Sequence, residues 1–285
     1  MGIDLTLIGT NDSIELDGEH YTLQTGTRGF GIPSPLLRID PSASNGGTFR
    51  YAKRDIREID LPIAITGSDR DYTETLLRRL ANIFRDKVRL QATYPDGSVW
   101  YLDCYYAGGG ETVFGSTAND YYCSWDIILR APQPFWQSTQ PFSVSIASST
   151  TTRGLLAGSS PKSLAFLRVK TSQAFGTVTV SNDGDVDAPA IWVVKGPSTL
   201  LTIQKSDGTG FTYTTSMSSS DTITIDCEKG TVVDQNGVNK YSGLGSAPKL
   251  FSLPPGNTTM TITVSGATGD SKVLGYFMPR REVLH

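Results

Sequence analysis

Histidine is almost absent from this chain: two in 285 residues, His20 and His285. That removes the side chain most enzymes use to move protons near neutral pH. Cysteine is nearly as scarce. Cys104, Cys123 and Cys227 are odd in number and widely spaced, with no CxxC pair and no Cys/His cluster. A disulfide framework and a zinc site are both disfavoured, and buried free thiols are the expectation. No charge sign dominates, since 25 basic residues face 28 acidic ones for a net of −3. Nucleic-acid binding through a one-signed field is therefore disfavoured as the main task. No apolar run approaches the ~18 residues that a membrane-spanning helix needs. The opening residues, MGIDLTLIGTND, lack the basic and apolar regions of a secretory signal, so the chain reads as one made and folded in a cytoplasm.

What is abundant is punctuation. There are 29 glycines and 15 prolines while apolar residues reach 38%, a balance that favours short strands and many turns. The length suits two domains. Alternation around Asp17-Gly18 predicts a hairpin within residues 13–23. Residues 24–50, rich in Gly, Pro, Ser and Asn and containing Arg28 and Arg38, predict a long loop. From Glu58 to Thr66 a strand puts Ile59, Leu61, Ile63 and Ile65 on one face. A single helix is expected from about Asp69 to Arg85, with Ser68 as its N-cap. Tyr72, Leu76, Leu80, Ile83 and Phe84 form its apolar stripe, and Arg78, Arg79 and Arg85 a solvated face. Strands follow at Lys87–Tyr94, Ser98–Tyr106 and Tyr121–Arg130, the first two joined by a Pro95-Asp96-Gly97 turn. Pro132 and Pro134 end this α+β unit.

Beyond it lies a Ser/Thr-rich stretch, then strands spaced at about 8–14 residues with turns at Asp207-Gly208, Lys229-Gly230, Asn236-Gly237 and Pro255-Gly256, the pattern of an antiparallel sandwich. The expected organisation is a first domain over residues 1–136, a connector over 137–163 and a second domain over 164–285. The fold class is mainly β, an N-terminal α+β domain built as a sandwich or split barrel with one helix, followed by a C-terminal β-sandwich.

Chemistry is hard to find. His20 sits just past a hairpin turn and His285 at the last position of the sequence, so neither suits a catalytic triad. The Gly108-Gly109-Gly110 run opens no helix, which argues for a loop between strands over a phosphate cradle. Asp103, Asp126 and Asp226 lie on strands and form a carboxylate pair only if two of them face each other. Residues Asn182 to Asp187 offer oxygens at alternate positions, yet the sixth and twelfth residues from Asp183 are Ala188 and Val194, so a calcium loop fails and a turn is expected. No catalytic residue, cofactor site or metal site is nominated, and the chain reads as a non-enzyme.

Four stretches in order resemble the siphophage distal tail proteins, a family of phage tail baseplate hubs. IILRAPQPFW, residues 127–136, resembles the strand and exit that close that family's first domain. Residues 178–197, 221–237 and 250–266 resemble its Asn-x-Gly turn with a Pro-containing strand, its Ile-Asp strand and turn, and its Pro-Gly-Asn-Thr turn into a final strand. The helix after residues 58–72 occupies the matching place. The resemblance implies a galectin-like second domain and a structural virion protein at the distal end of the phage tail, assembled in the host cytoplasm. It implies a hexameric ring of first domains that joins the tail tube to the tail tip or baseplate and its fibres. The implied partners are further copies of the chain, the major tail tube protein, the tail-tip or fibre hub protein, the tape-measure protein and a receptor-binding protein. Membrane and specific nucleic-acid partners are not implied, since DNA only passes through the channel. The alternative is a carbohydrate-binding sandwich contacting the host surface, for which Trp192 is the aromatic candidate. A carboxylate-only glycosidase is a third reading.

Overall fold

Alternating apolar and polar residues make the first half a curled sheet. Its elements run β1 (Asp4–Ile8), β2 (Ser13–Glu15), β3 (Tyr21–Leu23), β4 (Pro35–Pro41), β5 (Gly47–Arg54), β6 (Arg57–Thr66), α1 (Arg70–Ile83), β7 (Val88–Thr93), β8 (Val99–Gly109), β9 (Tyr122–Ala131) and β10 (Trp136–Ser138). The computed structural model describes residues 2–111, 121–147 and 168–284, with backbone alone over 168–174. The sheet order is β2-β1-β7-β8-β9-β6-β3, with every neighbouring pair antiparallel. Leu23 N donates to Leu16 O at 2.9 Å and Asp17 bridges Thr22, which carries β3 back to the chain just past β2. The sheet thereby nearly closes into a barrel, which removes most of its free edges. Leu7, Ile14, Leu61, Ile63, Leu90 and Leu102 fill the interior. The glycine run belongs to this sheet rather than to a loop, because β8 continues through Gly109, which pairs with Ile127.

Helix α1 packs its Thr73, Leu76, Leu80 and Ile83 face inward. Burying the three aliphatic side chains contributes roughly 1.5–3 kcal/mol each. Asp69, not Ser68, is the N-cap: its carboxylate accepts from Tyr72 N at 2.9 Å, while Ser68 Oγ donates to the same carboxylate at 3.0 Å. The charged oxygen is the stronger acceptor for a helix N-terminus, which explains the one-residue shift. Tyr72 leaves the apolar stripe and turns outward to His20, with its hydroxyl 3.1 Å from Nε2. Thr73 takes the inward place, its hydroxyl donating to Asp69 O at 2.7 Å.

The largest departure is residues 24–50. In place of a loop, β4 and β5 form an antiparallel hairpin that, among the described residues, pairs with no other strand. Its turn closes through Ser42 N and Gly46 O at 3.1 Å. Among the described residues these strands are exposed along nearly their whole length, so the inward and outward alternation that marks a half-buried strand is missing from their environment, and prolines at both ends of β4 imitate a loop.

The second unit comprises Gln140–Arg280, and Arg281–His285 return to the first unit with Met1–Thr139. Strands β10 and β11 (Phe142–Ala147) occupy positions where composition predicts connector. Their serines and threonines are the polar members of strands, which composition alone cannot separate from linker. Residues 148–163 of the expected connector lie outside the described residues, as does His285. Following β11 come β12 (Arg168–Ala174), β13 (Gly176–Asn182), β14 (Ala188–Pro189), β15 (Ile191–Lys195), β16 (Ser198–Lys205), β17 (Gly210–Met217), β18 (Thr222–Asp226), β19 (Thr231–Asp234), β20 (Ser252–Leu253), β21 (Gly256–Ser265) and β22 (Lys272–Phe277). One sheet runs β12-β11-β22-β15-β18-β19, a second β13-β21-β16-β17, and β14 pairs with β20. Within this core Trp192 lies directly opposite Gly275, whose missing side chain makes room for the indole: a Cβ there would come within 2.3 Å of it.

Candidate assembly interface

The β4–β5 hairpin is built as if for a surface outside its own barrel. Register puts Leu37 opposite Ala52 and, after a bulge at Arg38/Ile39, Ile39 opposite Phe49. Residues two apart on a strand share a face, so Pro35, Leu37, Ile39 and Pro41 line up with Phe49 and Ala52. Leu37, Ile39 and Phe49 are 53%, 57% and 60% exposed. The opposite face carries Leu36, Arg38, Asp40, Thr48, Tyr51 and Lys53 and is the more polar of the two, with Asp40 accepting from Arg50 at 2.6 Å and Arg38 at 3.4 Å. A strand of eight residues reaches roughly 26 Å at ~3.3 Å per residue. A two-stranded hairpin of this kind is marginal alone in water, and its apolar face gains stability only when covered.

The hairpin is anchored at its root by Arg57, which is 2% exposed. The inward face of β6 runs Arg57, Ile59, Leu61, Ile63, Ile65, so the strand begins with a charge at a core position. Its guanidinium donates to four backbone carbonyls: Nε to Pro134 O at 2.6 Å, Nη1 to Gly29 O at 2.5 Å and Gly31 O at 2.6 Å, and Nη2 to Glu282 O at 2.6 Å. Burial lowers its pKa to about 10, which leaves it charged at neutral pH. Sequence reasoning misses both features. The signals available for them are the Pro35-Leu37-Ile39 alternation and the arginine two residues ahead of an inward isoleucine.

The residues weighed for chemistry are employed elsewhere. His20 Nδ1 lies 3.2 Å from Thr66 O, on the side opposite its Tyr72 contact. Asp103 pairs with Arg89 at 2.8 Å and Lys87 at 3.1 Å. Asp126 lies on β9, opposite Pro62. Asp226 belongs to the other unit and caps a turn by accepting from Glu228 N and Lys229 N. The Asn182 side chain donates to Val186 O and Leu253 O and accepts from Gly184 N, which makes residues 182–187 a hydrogen-bonded turn. All three cysteines are free. Burial pushes the Cys104 thiol up to about 12 and the Cys227 thiol up to about 11, where they are poor nucleophiles. Trp192 is 1% exposed and offers no platform to a sugar. Of the helix arginines, Arg78 pairs with Glu74, while Arg79 grips both oxygens of Asp12 at 2.6 and 2.8 Å.

These carboxylates make stability depend on acid. Burial pushes Asp103 up, but its bonds to Arg89 and Lys87 outweigh this and hold it below the ordinary range, and the Arg79 bond does the same for Asp12. A lowered native pKa means the unfolded chain takes up protons first. The contribution is present above about pH 4 and lost as pH falls through the native values. Melting temperature measured from pH 7 to pH 2 is expected to fall below about pH 4, and Asp103→Asn to flatten that fall.

The architecture, a nearly closed barrel with one helix and a hairpin, followed by a β-sandwich, is mainly β and has matches among known folds. Residues 183–275 match the family model described as the C-terminal domain of the siphovirus-type tail component. Over that range the second unit is similar to this domain, in line with the resemblance to distal tail proteins read from the sequence. The solved distal tail protein of phage SPP1, described as a paradigm of the hub of the adsorption apparatus in phages infecting Gram-positive bacteria, superposes with a TM-score of 0.66. It shares 13% identity over 97% of this chain and 98% of its own. Two structures of the phage P2 baseplate in its activated conformation, with calcium and with strontium, align over 100% of both chains at a TM-score of 0.50 and at 11% and 12% identity. No curated protein matches the sequence significantly.

Proposed function

We propose that this chain is a non-enzymatic structural protein of the virion, at the distal end of a phage tail. Its first unit closes into a hexameric ring that joins the tail tube to the tail tip or baseplate, and its second unit holds fibres or a receptor-binding protein. The observation that carries this reading is the hairpin. Leu37, Ile39 and Phe49 present an apolar face to solvent on an element that, among the described residues, has no strand partner in its own barrel. A second copy of the same chain supplies a cover, and when each copy gives a hairpin and receives one, the contact is head-to-tail and closes if the rotation allows. The number six comes from the family resemblance. The tail tube, tape-measure and tip or fibre hub proteins are the neighbours such a ring meets along the tail axis.

Antibody raised against this chain and coupled to gold is the direct test. Label at the tail tip of intact virions supports the reading, and label confined to the capsid or absent from virions overturns it.

A further inference from the structure

The root of the hairpin is assembled from three stretches of chain that are far apart in sequence. Residues 28–34 lead into β4: Arg28 exchanges backbone hydrogen bonds with Asp60 at 3.0 and 3.1 Å, and Gly29 takes φ +97 in a space where a Cβ would come 2.3 Å from Glu58 O. The corner between β5 and β6 closes through Asp55 N and Ser34 O at 2.9 Å. The third stretch is the segment that returns to this unit. Leu284 is buried and donates from its amide to Phe30 O at 3.0 Å, and the Glu282 carboxylate pairs with Arg54 Nε at 2.5 Å. Phe30 in turn stacks on Trp136 with ring centroids 5.5 Å apart. The Arg57 guanidinium, on the residue that follows the corner, bonds to the first and third of these stretches and to the exit at Pro134.

The geometry points to Arg57 as a positioning residue for assembly: with Arg54 and Glu282 it fixes the direction in which the hairpin leaves the barrel, and so decides whether neighbouring copies interlock. This rests on the hairpin being the contact between copies. Among the described residues the hairpin's two strands pair only with each other, so its direction is set at the root. A planar fork with five donors suits four carbonyls in different directions, and a lysine ammonium at the end of a flexible stem does not hold them in one plane. The returning segment closes the circuit, because removing it takes away a carbonyl of Arg57, the carboxylate of Arg54 and the amide that holds Phe30.

Hydrogen exchange on the full chain at a dilution where it is monomeric, together with sedimentation at high concentration, tests this. For Arg57→Met, amides of residues 28–34 and 54–56 are expected to exchange about 10- to 100-fold faster while β6 and β9 keep their protection, and assembly is lost. Arg57→Lys is expected not to restore it. Unchanged root protection overturns the inference, and so does loss of protection throughout the barrel, which makes Arg57 a general core residue. Should Arg57→Met fail to fold, the surface pair Arg54→Ala with Glu282→Ala decides: faster exchange confined to the root with weakened assembly supports it, and wild-type behaviour in both overturns it. A wild-type chain that never assembles sinks the ring reading instead, while the exchange result still judges the root.

Discussion

Ile39→Asp combined with Phe49→Asp is expected to abolish self-association while leaving the fold of the monomer intact. Both residues lie opposite each other on the outer half of the hairpin's apolar face and are more than half exposed. Substitutions at exposed positions away from packed features usually change stability by no more than about 0.5 kcal/mol. Association is another matter. A well-packed aromatic or aliphatic anchor at an interface is worth about 2–4 kcal/mol, and burying a carboxylate in its place adds a desolvation cost. Two such positions therefore weaken each contact by about a thousandfold or more. Because a ring needs every contact at once, the closed species disappears altogether. Sedimentation of the variant beside the parent checks this, with circular dichroism confirming that the barrel is unchanged. The control is Lys53→Asp, on the hairpin's polar face, where a much smaller effect is expected.

Trp192→Ala is expected to cost the second unit about 3–5 kcal/mol, the range for truncating a buried aromatic. Trp192 lies between Ile225 of β18 and Gly275 of β22 in the register of the sheet, and the lack of a side chain at Gly275 leaves room for the indole. Removing the ring opens a cavity that a glycine backbone cannot fill. For a unit of this size that loss lowers its melting temperature by roughly 10–20 °C. Calorimetry of the full chain is expected to show the transition of the second unit moving down while that of the first stays in place. The same variant separates packing from recognition. A tryptophan that stacks on sugar is exposed, and its loss removes binding at little cost in stability. Trp192 is predicted to behave the opposite way.

Where a segment buries one face, its period reads directly from the residues. Leu76, Leu80 and Ile83 at three- and four-residue steps mark α1, and Ile59 to Ile65 at alternate positions marks β6. The strands of the second unit alternate in the same way, with Val178 and Val180 buried between exposed threonines on β13. Such patterns reflect a local choice between core and solvent. The hairpin breaks that rule, since its apolar side faces solvent in the isolated chain, and Leu37 and Ile39 between two prolines look like stray hydrophobics in a loop. Arg57 breaks it in the other direction. A charge ahead of an apolar run looks like the end of a strand, yet it is an inward position whose donors are satisfied by carbonyls from residues 29, 31, 134 and 282. Contacts between residues so far apart in sequence leave no periodic trace. The return of Arg281–His285 to the first unit is hidden for the same reason, because composition cannot show where a chain goes after it leaves a domain. All three misses fall where the chain is organised around something other than its own local core, which is where functional features are expected to collect.

The measurement that bears most directly on the account is the molar mass of the full chain in solution as concentration rises, read by sedimentation equilibrium and paired with electron microscopy of the largest species. A species at six times the 30.8 kDa chain mass is expected, seen as a closed ring and absent from the Ile39→Asp, Phe49→Asp variant. A chain that stays monomeric at every concentration, or a ring that forms equally well without the hairpin's apolar face, would contradict it.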